Sequence, residues 1–127
     1  ATVTIPILLY CYYMTTIVYY TMAGKSPIED FIDSLGVRPK RKIFHLFRAI
    51  QTYGLIAVTA HIKKLVQTPF YELRILGVDN IRLFYVWEKN DMIIILYGCV
   101  KKSQKTSSKD LCAIFRAYHD LKTGLDS

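Results

Sequence analysis

Two arginines and a run of lysines are the side chains in this sequence whose types and spacing could do chemistry. Arg74 closes Tyr71-Glu-Leu-Arg74, Arg82 stands in Ile81-Arg82-Leu-Phe-Tyr85, and Lys101, Lys102 and Lys105 follow Tyr97-Gly-Cys-Val100. A three-residue turn centred on Val78 would set Leu76 opposite Asn80, and Arg74 directly opposite Arg82 on the facing strand. Like charges at facing positions destabilise a sheet. Glu72 is one strand period from Arg74 and, on this reading, is not placed to neutralise both. Either the register differs and both arginines reach water, or the pair is a clamp for a phosphate, whose oxygens match the planar guanidinium fork. The lysines just past the third strand are either a solvated loop or a continuation of the same anion-binding edge.

More cation lies upstream. His61-Ile-Lys63-Lys64 precedes the first of these strands, and Arg38, Lys40, Arg41 and Lys42 fill the first turn of an expected helix. That end of a helix repels cations, so the charges are either solvated or meet an anion. His61, Lys63, Lys64, Lys105, Arg41 and Lys42 are the candidate RNA-binding residues of a broad positive surface. The formal net charge of +7 over 127 residues agrees with an anionic partner. Among the histidines, His61 sits among cations, where a neutral ring would serve as a base. His45 falls near the inner stripe of its helix and is expected to pack, and His119 to be exposed. The acidic residues are scattered and no Ser/His/Asp set stands out, so neither a metal nor another cofactor is expected. Five tyrosines between Tyr10 and Tyr20 are either a base-stacking platform or strand packing.

The elements that must hold these residues follow from periodicity. Ser26-Pro-Ile-Glu29 is a helix start with a cap and a first-turn proline, and Ile28, Phe31, Ile32 and Leu35 share one face before Gly36. A second helix is expected from about Pro39 to Tyr53, with Ile43, Leu46, Phe47, Ile50 and Tyr53 inward and Gly54 as its stop. From Phe70 the period becomes two. Strands are expected from Tyr71, from Ile81 to Glu88 and from Met92 to Val100. A last helix runs from about Ser107 to Lys122, with Leu111, Ile114, Phe115, Tyr118 and Leu121 inward. With a strand over Thr15–Tyr20 the order is β–α–α–β–β–β–α, an α+β sandwich.

Length and composition allow one domain with a real core, since 52% of residues are hydrophobic. Three cysteines without C-x-x-C spacing argue against a disulfide framework and fit a cytoplasmic protein. Residues 1–24 carry no charge, but their threonines, tyrosines and Pro6 describe strand better than a membrane span. Met14 suggests a domain over 14–127 preceded by an extension, 1–13.

The runs Gly24-Lys-Ser-Pro-Ile-Glu-Asp-Phe31, Lys63-Lys64-Leu65, Tyr71-Glu-Leu-Arg74, Ile81-Arg82-Leu-Phe-Tyr85 and Gly98-Cys-Val-Lys-Lys-Ser-Gln-Lys-Thr106 together resemble the RelE/HigB-type toxins of bacterial type II toxin–antitoxin systems. The phage-derived branch is the nearest, over about residues 15–122. The resemblance implies the RelE-like fold, an antiparallel meander with an N-terminal strand, two N-terminal helices and a C-terminal helix. It also implies metal-independent cleavage of messenger RNA, commonly on the ribosome, by attack of a 2′-hydroxyl on the adjacent phosphorus. On it, Arg74, Arg82, Lys101 and Lys102 are the catalytic candidates. The partner implied is a small antitoxin, often of helix-turn-helix type. Some members carry a tyrosine near the start of the last helix; Thr106, Ser107 and Ser108 stand there instead. Two alternatives are a ParE-like toxin that binds gyrase without catalysis and an inactive nucleic-acid-binding module.

Overall fold

The computed structural model describes residues 15–77, 80–101 and 105–125. Among them the order is β1 (Thr16–Tyr19), α1 (Pro27–Asp33), α2 (Val37–Tyr53), a 3₁₀ segment (Leu55–His61), β2 (Ile62–Lys64), β3 (Tyr71–Ile75), β4 (Ile81–Glu88), β5 (Met92–Val100) and α3 (Ser108–Leu125). The fold is α+β, as expected, and the long strands end within a residue of the limits read from their period. The expected extension 1–13, and Lys102, lie outside the described residues.

Local chemistry accounts for the helix ends. The Ser26 hydroxyl accepts from the Glu29 amide at 3.2 Å and Pro27 takes the first turn, so α1 begins where its cap requires. Gly36 does not stop α1, which ends earlier at Ser34; it is the N-cap of α2. The stripe Ile43, Leu46, Phe47 and Ile50 is buried as expected, but Tyr53 and His45 are exposed. Gly54, at φ 85°, turns the chain into the 3₁₀ segment, and Leu55 and Val58 fill the core where Tyr53 was expected.

The sheet runs β1-β5-β4-β3-β2. It is a mixed sheet, because β1 lies parallel to β5, Thr16 beside Met92 and Tyr19 beside Ile95. Its far edge, β2, went unread: three residues, Ile-Lys-Lys, are too few to show a period. One face carries the larger core, where Leu73, Ile75, Ile81, Leu83, Tyr85, Ile93 and Ile95 meet α1, α2 and the 3₁₀ segment. The other packs Phe70, Phe84, Val86, Ile94 and Leu96 against Ile114 and Ala117 of α3. Phe115, read as inward, is 46% exposed and meets the Phe70 ring edge-on, 4.8 Å between centroids.

A bulge decides which residues share this second face. Phe84 pairs with Tyr97 but Tyr85 pairs with Ile95, so Leu96 is an extra residue in β5. Strict alternation from Ile94 would carry 96, 98 and 100 to α3. The bulge instead turns Tyr97 and Cys99 to it, where both pack against that core, and Lys101 follows them toward α3. Gly98 then faces α1. A Cβ there would lie 2.6 Å from the Phe31 ring and 2.9 Å from Leu83.

Candidate anion-binding site

The expected register holds: Arg74 pairs with Arg82. The expectation that no acid can neutralise both does not. Residues two apart on a strand share a face, so Glu72 stands beside Arg74 and reaches across to Arg82. Its Oε1 accepts from Nε of Arg74 at 3.1 Å and lies 2.9 Å from Nε of Arg82. Glu72 is 2% exposed and Arg82 is 9% exposed. A buried carboxylate between two guanidinium groups replaces the facing repulsion with two attractions, and each charge compensates the desolvation of the other. Nη2 of Arg74 is buried and, among the described residues, has no hydrogen-bond partner. A buried donor of this kind carries its full desolvation cost.

A second charged group adjoins the first. Asp110, in the first turn of α3, accepts from the Tyr97 hydroxyl at 2.9 Å and the Ser107 hydroxyl at 2.7 Å, and pairs with the Lys101 ammonium at 3.0 Å. Burial pushes the Asp110 carboxyl up, but the hydrogen bonds from Ser107, Lys101 and Tyr97 outweigh it and hold the group below its usual value. The Tyr97 phenol is pushed up to about 12, by burial first and then by its bond to Asp110. Cys99 pairs with Arg82 across the sheet and lies between the two groups; burial and the Asp110 charge raise its thiol to about 11. At neutral pH it is a thiol, not a nucleophile.

The two groups sort the sequence-derived candidates. Arg74 and Arg82 come together as expected. Lys101, also a catalytic candidate, is 6% exposed and spends its ammonium on Asp110 and the Lys105 carbonyl, 3.0 Å each. Lys63 pairs with Glu72 on the same face and is exposed. Lys64 points the other way, over the Tyr71 ring at 4.6 Å and onto the Thr68 carbonyl. Arg41, Lys42 and His61 line a separate cleft of about 380 Å³ with His45, between α2 and the end of β3. There Lys42 donates to the Leu76 carbonyl at 3.0 Å. Nδ1 of His61 lies 3.0 Å from the Arg74 carbonyl. Because a carbonyl only accepts, Nδ1 carries the hydrogen, and a neutral ring keeps its lone pair on Nε2. A wider cleft of about 550 Å³, lined by Tyr53, Tyr71, Tyr85 and Trp87 with Asp91 as its charge, holds none of these basic residues.

Glu72 and Asp110 are the residues the sequence reading missed. Glu72 was legible as the same-face neighbour of Arg74. Asp110 was legible only as the third residue after a capping Ser107, with nothing in the sequence to join it to Lys101. A phenol does reach the head of the last helix from β5, where the Tyr97 hydroxyl donates to Asp110.

Fold and site together define a small α+β protein with a buried arginine–carboxylate cluster between β3 and the head of its C-terminal helix. Residues 30–119 match the family described as Phage derived protein Gp49-like (DUF891), and the chain belongs to that family, which is associated with RelE/HigB-like toxins. No curated protein matches the chain. Among the described residues no helix is long and apolar enough to cross a membrane.

Proposed function

We propose that this protein is the toxin of a type II toxin–antitoxin pair and cleaves messenger RNA, without a metal, on the translating ribosome. The observation that carries the reading is the pairing of Arg74 and Arg82 across β3 and β4 beside an unsatisfied guanidinium nitrogen. In such a cleavage the 2′-oxygen bonds to phosphorus as the 5′-oxygen leaves. The 2′-proton passes to a base, and a proton is delivered to the departing oxygen. Negative charge grows on the non-bridging oxygens, where preorganised guanidinium donors lower the barrier. Arg74 and Arg82 take that role, and Lys63 and Lys105 hold the RNA backbone. His61, the base suggested by the sequence, is held by the Arg74 carbonyl in the cleft beside α2, off the arginine face, so this reading gives it no part in the step. The antitoxin lays an acidic or apolar segment over the arginine pair.

The test is to express the chain alone and with its genomic neighbour, following growth and mapping message ends by primer extension. New message ends that appear only without the neighbour support the reading. Growth arrest with intact messages would sink it. One observation favours a second reading: Lys101 is closed off by Asp110 and the arginines are partly neutralised by Glu72. Both suit a ParE-like toxin that binds a protein, which growth arrest with inhibited gyrase supercoiling would identify.

A further inference from the structure

The Glu72 carboxylate has no assigned part in the reading above, yet it is the most buried charged group of the cluster. We infer that Glu72 is a positioning residue, which turns Arg74 into a preset donor for one oxygen of an internal phosphodiester. The inference rests on the RNA-binding part of the proposed function and deepens it.

A single oxygen, Oε1, meets Nε of both arginines, at 3.1 and 2.9 Å. A guanidinium presents five donors in a fixed plane, so fixing Nε fixes the direction of the rest. A carboxylate facing one arginine normally takes two parallel bonds from it. Here Oε1 is shared, and Nη2 of Arg74 is left buried and unmatched. Nη2 itself has no surface open to a ligand, but the Arg74 side chain is 29% exposed, so a bound oxygen meets the open part of a guanidinium whose plane Oε1 has set. Anions that suit such a donor are phosphate oxygens. An internal phosphodiester is preferred because the buried Glu72 charge sits within reach of any ligand and opposes a second negative charge on it.

A double-mutant cycle in binding tests this without relying on cleavage. The probe is a single-stranded 2′-O-methyl RNA, which has no free 2′-hydroxyl to react, followed by fluorescence anisotropy. The proteins are the full chain, Arg74→Ala, Glu72→Gln and the double variant, each checked by a thermal melt. Arg74→Ala is expected to weaken binding about 10-fold in the parent but less than about 2-fold beside Glu72→Gln, because an unheld Arg74 has little left to lose. Glu72→Asp, which keeps the charge but is too short to reach both Nε atoms, should show the same loss of coupling and serves if Glu72→Gln does not fold. Equal Arg74→Ala effects in both backgrounds would overturn the positioning role and leave the RNA reading intact. A folded parent that does not bind the probe would overturn both. An added 5′-phosphate on the probe should not tighten binding in the parent; tighter binding by 10-fold or more would overturn the preference for an internal diester.

Discussion

At the residue scale, the cluster changes what removing Arg82 should do. Facing arginines alone would make its loss neutral or mildly stabilising. With Glu72 between them, Arg82→Ala takes one charge-assisted bond from a buried carboxylate. It should therefore destabilise by about 1–3 kcal/mol, the scale for hydrogen bonds to charged groups. The thermal midpoint should drop, and cleavage per folded molecule should fall by about 100-fold. Arg82→Lys should recover little of the activity, since an ammonium cannot reproduce the planar fork. An Arg82→Ala protein with an unchanged melt would mean that the bond from Arg74 suffices to hold the Glu72 carboxylate. His61→Gln, in the cleft beside α2 and off the arginine face, should leave cleavage and RNA affinity near those of the parent; a loss of about 100-fold in cleavage, the scale for losing a base, would bring that cleft into the reaction.

At the element scale, the head of α3 is tied to β5 by Asp110, and its far half by Tyr20 to Asp120 at 2.6 Å and Lys122 to Glu88 at 2.8 Å. The Asp110 carboxyl is held below its usual value. Its unfolded pKa is about 3.9, so its contribution is whole above that pH and is lost as pH falls through the lower folded value. The midpoint of thermal unfolding should thus fall with pH below about 4, and part of that slope should vanish in Asp110→Asn. An identical acid profile for the variant would remove Asp110 from the account. On the opposite face, Gly98→Ala drives a methyl to 2.6 Å from the Phe31 ring. Overpacking of that kind costs about 1–3 kcal/mol, read as a lower denaturant midpoint at constant slope.

At the scale of the whole molecule, the +7 charge is spread over separate surfaces. Arg74, Arg82 and Lys63 share the α3 side of the sheet, while Arg41, Lys42 and His61 line the cleft beside α2. A strand of RNA bound at the arginine pair should release counterions in proportion to the phosphates it meets. Its affinity should fall steeply between 50 and 200 mM salt, by about 10-fold or more for a few contacts. Lys63→Ala should flatten that slope, and Arg41→Ala, in the α2 cleft, should flatten it less. Equal flattening by both would mean that the RNA also engages the α2 cleft. An antitoxin that covers the arginine pair should associate quickly, with a salt-sensitive rate.

The sequence by itself determined the long elements and the facing arginines. Alternation over Tyr71–Ile75 and apolar runs of strand length over Ile81–Glu88 and Met92–Val100, bounded by turn residues, mark the strands, and the register of one hairpin follows from its turn. Ser26, Pro27 and Gly54 fixed helix ends through local backbone chemistry alone. What only the tertiary structure decided depends on contacts between distant segments. The parallel seat of β1 beside β5 needs a crossover that no local signal encodes. The extra residue at Leu96 is invisible in an almost wholly apolar strand, yet it chooses the face for Tyr97 and Cys99 and sends Lys101 after them. The pairing of Lys101 with Asp110, and of one Glu72 oxygen with two arginines, is a matter of ångströms. Residue types and spacing name the charges; packing decides which ones meet.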